Sequence, residues 1–336
     1  MKLLTVTVPC YNSQDYMQAC IDSLLTGGDR VEIIIIDDGS QDKTGIIADM
    51  YAEKYPHIVR VIHQENGGHG EGINQGVAHA TGIYFKVVDS DDQLSPDFSG
   101  FLDQLEIWER EGGVDLVLTN YRYVHTDGIG DRSICYDNVL KSGETVAWEQ
   151  TGRFYPHQLI TLHSATFRTE HMRAWAEALP KHIFYEDNLM VYKTLPHVKK
   201  LGYLDVDLYR YTIGRQGQSV ALDAVKKRYS HQILVAEKCF TSVKFDQIQG
   251  KRLKSYMKHE MFMMFGIAIC FARANKNEQS DRSIREMWAR CIAYDEKWGR
   301  YFRFRTSLWL LCLPGRFGRW MANGIYGFAN KVVRYY

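Results

Sequence analysis

Two hydrophobic rhythms alternate through the first 125 residues: short apolar, β-branched runs, and longer stretches whose apolar positions fall three and four apart. LLTVTVP (3–9), VEIIIIDDGS (31–40), VRVIHQE (59–65), IYFKVVD (83–89) and DLVLTNYRYV (115–124) have the first character and predict strands. DYMQACIDSLLTG (15–27), DKTGIIADMYAEKY (42–55), GEGINQGVAHATG (70–82) and DFSGFLDQLEIWERE (97–111) predict helices, with Asp42 or Ser40 capping the second. The run at 31–40 is continuously apolar, which suits a strand covered on both faces. Strand and helix in alternation predict an α/β domain built on a mostly parallel, doubly wound sheet. Such sheets bind ligands beyond the carboxyl ends of their strands.

The polar residues at those ends therefore carry the information. The strands close on Pro9-Cys10-Tyr11-Asn12, Asp37-Asp38-Gly39-Ser40, Glu65-Asn66-Gly67-Gly68 and Asp89-Ser90-Asp91-Asp92. One such end is ordinary; four in succession point to a shared polar edge. Asp89, Asp91 and Asp92 crowd three negative charges after an apolar strand. Burying such charges is costly without a compensating cation. Two readings stand for them: a solvated acidic turn before the helix near Ser95-Pro96, or ligands for a hard divalent ion that bridges protein to a diphosphate.

After residue 125 the pattern loosens, first into the turn-rich TDGIGDRS (126–133), then into mixed segments with strand character in LITLHSATF and KLGYLDVDLYRYT. From about residue 222 onward the chain reads as helical. The longest apolar run, MFMMFGIAICFA (261–272), falls short of the roughly 20 residues a bilayer crossing needs, so it predicts a buried helix. MKLLTVTVPCYN at the start is likewise too short for a signal peptide and reads as the first strand.

Composition narrows the class. A net charge of +1 over 336 residues leaves no nucleic-acid footprint. Seven scattered cysteines without a CxxC pair fit a reducing, cytoplasmic setting.

In order, VTVPCYNSQDYMQACIDSLL, VEIIIIDDGSQDKT and QENGGHGEGINQGVAHATGIYFKVVDSDD resemble the nucleotide-sugar-binding half of an inverting family 2 glycosyltransferase of the GT-A fold, a Rossmann-like architecture. The resemblance resumes at FYEDNLMVYKTLP (184–196) and continues into YRYTIGRQGQSV (209–220). It implies a catalytic domain over 1–221, divided into nucleotide-sugar binding (1–125) and an acceptor and catalytic part (126–221), and a helical region over 222–336. By resemblance, Pro9 and Tyr11 lie beside the nucleobase, Asn12 belongs to the nucleotide site and Asp38 bonds uracil. Asn66, Gly67 and Gly68 form the loop beside the nucleotide. Asp89, Asp91 and Asp92 cover the DxD region as expected ligands of Mn²⁺ or Mg²⁺, with Asp91 and Asp92 foremost and reaching the ribose-diphosphate as well. Asp187 matches the general base, with Glu186 beside it, although an acidic pair is also what a helix N-terminus favours. Arg215, Gln218 and Ser219 are expected near the diphosphate or the acceptor. His163 is a further candidate for the acceptor or the metal. Many members carry Ala-Arg-Asn where this chain has Gly72-Ile73-Asn74; His69, Lys86 or Arg215 would stand in for that arginine.

The last 40 residues interleave eight basic residues, Lys297 to Arg334, with aromatics and hold no acid. That pattern suits an interfacial helix on an anionic membrane, or equally a helical subdomain or oligomer interface with a basic face. The resulting expectation is a cytoplasmic, peripherally membrane-associated enzyme that moves a sugar from a nucleotide sugar, a UDP-sugar by preference, to a glycan or lipid-linked acceptor. Two rivals remain. A sugar nucleotidyltransferase should carry a glycine-rich basic loop after the first strand, which PCYNSQDY lacks. A degenerate membrane scaffold should have lost the DxDD or the Glu-Asp pair, and both are present.

Overall fold

The computed structural model describes residues 2–126, 128, 130–214, 227–313 and 324. The chain divides into two compact units, Met1–Ile213 and Gly214–Tyr336.

The first unit holds a ten-stranded sheet. Its strands are β1 (Leu4–Cys10), β2 (Val31–Asp37), β3 (Val59–His63), β4 (Tyr84–Val87), β5 (Gln93–Leu94), β6 (Leu116–His125), β7 (Arg132–Ile134), β8 (Thr145–Ala147), β9 (Ala165–Arg168) and β10 (Lys200–Ile213). Helices α1 (Met17–Leu25), α2 (Thr44–Lys54), α3 (His69–His79), α4 (Phe98–Arg110), α5 (Thr169–Arg173) and α6 (Glu186–Thr194) complete it. The path runs β3-β2-β1-β4-β9-β6-β10-β5. Every residue of β1 and β2 is buried, and Ile33 through Ile36 have no exposed surface. Each such isoleucine contributes about 2 kcal/mol of burial, which is why this run is a central strand. Helix α3 lies close over β1; a Cβ on Gly76 would collide with the Thr7 side chain.

The chain winds outward from β1 to β2 to β3, then returns to place β4 on the other side of β1. The winding direction reverses between β1 and β4, where an open α/β sheet leaves its ligand crevice. The segment Asp89–Asp92 leaves β4 at that point. The alternation rule missed one feature. Strand β9 inserts between β4 and β6, antiparallel to both, and covers only the last part of the strand expected in LITLHSATF. The cap of α2 also differs slightly. Asp42 accepts from the Thr44 backbone N–H at 2.9 Å, while Lys43 occupies the cap position.

The second unit is helical, with α7 (Tyr229–Thr241), α8 (Lys251–Ala274), α9 (Glu278–Tyr294) and α10 (Glu296–Arg300), then a π-helical turn at Tyr301–Arg305. The apolar run at 261–272 lies within α8, and no helix among the described residues is long and apolar enough to cross a membrane. Phe302 is buried against Phe240, Phe245 and Phe265. Lys297 pairs with Asp246 at 2.8 Å and Arg300 with Glu296 at 2.9 Å. This part of the basic, aromatic tail thus builds a core and surface pairs. Arg303 lies over the rings of Trp288 and Phe304, while Arg316, Arg319, Lys331 and Arg334 lie outside the described residues.

Candidate active site

Four segments meet at the carboxyl edge. The backbone N–H of Asp92 donates to the Asp89 carbonyl at 2.9 Å, a turn that brings residues 89 and 92 to one side. Carboxylate oxygens of Asp89 and Asp92 and a ring nitrogen of His163 lie within 4.8 Å of one another, the one cluster of possible metal-binding acids, histidines or cysteines among the described residues. Of the three acids expected at a metal, Asp89 and Asp92 share this cluster, and Asp91 stands outside it.

Asp92 is fully buried and held at both oxygens, by the Tyr209 hydroxyl at 2.7 Å and the Thr212 N–H at 2.8 Å. Burial pushes its carboxyl well above the usual range, and the charge of Asp89 adds to this. A cation would relieve both effects, so the donor set fits a divalent ion. His163 is edge-on to Tyr209 and stacked on Tyr211, with ring centroids 4.9 and 4.5 Å away. Burial brings its pKa down to about 4, which keeps the ring neutral, the form that binds metals.

Lys86, expected at the phosphates, is placed differently. It is 1% exposed, and its ammonium donates to the carbonyls of His163 at 2.9 Å and Ala165 at 3.2 Å. An amine committed in this way anchors the His163 loop to β4. The position of the family's arginine, Ile73, is fully buried, while Gly72 packs on Pro9.

The glycine loop is built around Asp38. This carboxylate is 3% exposed and accepts from the N–H groups of Gly67 at 2.7 Å and Gly68 at 2.8 Å, and from Gln64 Nε2 at 2.6 Å. Asn66 donates to the Asp38 carbonyl at 2.9 Å. Gly68 sits at φ +84°, and a Cβ there would fall 2.9 Å from the His182 nitrogen. Only glycine suits that backbone and that close approach. Tyr11 is half exposed beyond β1, and Asn12 accepts from the Gln41 N–H at 2.9 Å.

Immediately after Gly68, α3 begins with His69. Its Nε2 lies 2.9 Å from Asp89 Oδ1 and its Nδ1 lies 2.7 Å from Glu186 Oε1. Burial opposes a charge on this ring, but the two carboxylates overcome it and raise the His69 pKa well above the ordinary value. On Asp89, burial pushes upward and the His69 bond and charge prevail, holding the carboxyl below its usual range.

Glu186 and Asp187 open α6, where the helix dipole favours acids. The chain reaches them through two non-glycine residues in left-handed conformation, His182 at φ 54° and Tyr185 at φ 71°. Such backbone costs about 1–3 kcal/mol per residue and persists where surrounding bonds impose it. Here His182 N–H donates to the Gly67 carbonyl at 2.9 Å, and Asn74 bonds both backbone groups of Leu179, at 3.0 and 2.9 Å. Burial, with the neighbouring charge of Glu186, pushes the Asp187 carboxyl up to about 7. Asn188 donates to its Oδ1 at 3.1 Å. Tyr209 and Thr212 lie in the family-like stretch 209–220 and Asn74 keeps the family's asparagine, but their sequence neighbours do not reveal which site groups they hold. Arg215, Gln218 and Ser219 lie outside the described residues.

The model of glycosyl transferase family 2 matches residues 5–181. The chain belongs to glycosyl transferase family 2. This family 2 chain is 27% identical over 302 residues to the putative glycosyltransferase EpsH of Bacillus subtilis, covering 84% of this chain and 80% of that one. It is 26% identical over 247 residues to the minor teichoic acid biosynthesis protein GgaB of the same organism, covering 70% of this chain and 26% of GgaB. Among solved structures, S. aureus TarS 1–349 in complex with UDP-GlcNAc aligns at a TM-score of 0.59 and 21% identity, covering 90% of this chain and 92% of that one. The mannosyltransferase PcManGT of Pyrobaculum calidifontis, in complex with GDP-Man and Mn²⁺, aligns at 0.55 and 16%, covering 92% and 86%. The family 2 chain is a glycosyltransferase with a GT-A fold.

Proposed function

We propose that this glycosyltransferase is metal-dependent and inverting, and that it transfers a sugar from a UDP-sugar to a hydroxyl of a glycan or lipid-linked acceptor in cell-surface polysaccharide synthesis. One observation carries the reading: the Asp89, Asp92 and His163 donor set and the Asp187 carboxylate stand on separate segments of one edge. TarS bound to UDP-GlcNAc, PcManGT bound to GDP-Man and Mn²⁺, and the teichoic acid role in the name of GgaB support it. Asp89, Asp92 and His163 would hold Mn²⁺ or Mg²⁺, and an imidazole beside two carboxylates suits Mn²⁺, which accepts a nitrogen ligand more readily than Mg²⁺ does. A divalent ion there supplies Lewis-acid stabilisation of the departing diphosphate.

The chain supplies the rest. Asp38 fixes the Gly67-Gly68 loop beside the nucleotide, and the half-exposed Tyr11 faces the base. Asp187 takes the acceptor hydroxyl proton as the oxygen forms its bond to the anomeric carbon, while the bond from that carbon to the diphosphate breaks. A pKa of about 7 suits such a base at neutral pH. UDP release from a panel of UDP-sugars with Mn²⁺ tests the proposal. Wild type should release UDP from at least one sugar, and Asp187→Asn should lose at least a hundredfold of that rate. Equal rates in both would refute Asp187 as the base.

A further inference from the structure

Glu186 and Asp89 lie 97 positions apart, yet one imidazole touches both. We infer that His69 is a positioning residue with two separable tasks: its Nε2 orients Asp89 for the donor diphosphate, and its Nδ1 orients Glu186 and with it the first turn of α6 that carries Asp187. This rests on the reading of Asp89 and Asp187 given above.

The geometry supports the division. A ring that faces a carboxylate at each nitrogen can donate at both, and charge-assisted bonds of 2.7 and 2.9 Å are the strong kind. Each bond occupies one oxygen of its carboxylate and leaves the other free to act elsewhere. Glu186 is 2% exposed, with His69 as its ion-pair partner, so a lost ring would leave a buried charge uncompensated beside Asp187. His69 itself is fixed from behind. Its backbone follows Gly68, whose N–H is held by Asp38, and α3 is bound to the segment before α6 through Asn74 and Leu179. The three motifs of this edge, the glycine loop, the DxDD turn and the Glu-Asp pair, thus share a single side chain.

Two amide substitutions separate the tasks, because an Asn side-chain nitrogen overlays Nδ1 of histidine and a Gln nitrogen overlays Nε2. His69→Asn keeps the donor to Glu186 and loses the one to Asp89. His69→Gln does the reverse. Mn²⁺-dependent UDP binding by calorimetry and UDP release from the best donor at saturation read the two arms, with thermal melting to confirm folding. His69→Asn should weaken UDP binding about tenfold and hold the maximal rate within about twofold, the size expected for one lost bond to a charged group. His69→Gln should bind UDP within about twofold of wild type and lose about tenfold in maximal rate. A merely structural histidine would lower both readouts together in both variants, or neither, and either result overturns the inference. Should one variant fail to fold, the other still reads its own arm. A wild type that neither binds UDP with Mn²⁺ nor releases it from any sugar would overturn the underlying reading itself, before any variant is compared.

Discussion

The Tyr209 hydroxyl lies 2.7 Å from Asp92 Oδ2 and accepts from the Asp89 backbone N–H at 3.1 Å. One side chain of β10 thereby fixes both ends of the DxDD turn. The ring is fully buried and contacts His163 edge-on, so it also sets the third donor of the cluster. Tyr209→Phe keeps the ring and removes both bonds. It should weaken Mn²⁺-dependent UDP binding by about tenfold, because a buried acceptor and a buried N–H lose their partner. It should also lower stability by about 1–3 kcal/mol in urea melts. Calorimetry beside the melts checks both; unchanged binding would mean the turn holds its shape without the Tyr209 hydroxyl.

The pH dependence of turnover follows from Asp187. Its carboxyl must be ionised to accept a proton, and burial with the charge of Glu186 raises its pKa to about 7. The rate at saturating donor should therefore fall as pH drops through 7. Glu186→Gln removes the larger of the neighbouring charges that push it upward, so the falling limb should move to lower pH. A pH–rate profile of UDP release for both proteins decides this. A limb that stays in place would assign it to another group.

Lys86 gives a stability signature free of any ligand. Burial brings its pKa down to about 7, below the value of a free lysine. Between pH 7 and 10 the unfolded chain therefore binds the proton that the folded protein lacks, and stability rises with pH through that window. The difference in unfolding free energy between wild type and Lys86→Met should shift toward wild type as pH rises from 7 to 10. Urea melts across this range measure it. A flat difference would mean that the ammonium stays charged in place.

How much of this was legible before the structure depends on sequence distance. The first four strands and the polar edge follow from β-branched runs and from the rule for strand ends, both local properties. Asp89 and Asp92 were visible as a DxDD, but which two acids converge is decided by a turn at residues 89–92, and composition does not specify a turn of that detail. His163 joins them only because β9 inserts antiparallel beside β4, more than 70 residues from the DxDD. Lys86 reads as a phosphate contact in a strand ending on acids, yet the same insertion brings the His163 and Ala165 carbonyls over it. The Glu-Asp pair reads both as a helix N-terminus and as a catalytic pair, and α6 makes it the first while His69 connects it to the site of the second. In the tail, the alternation of basic and aromatic residues cannot say which side faces inward. Among the described residues, Phe302 does.

The most direct measurement is calorimetric titration of UDP into the full chain, with Mn²⁺ and with chelator, for wild type, Asp92→Ala and Asp187→Ala. A metal-bridged nucleotide site at the DxDD turn requires binding that disappears with chelator and in Asp92→Ala, and persists in Asp187→Ala. UDP binding that is indifferent to Mn²⁺ and to Asp92 would contradict it.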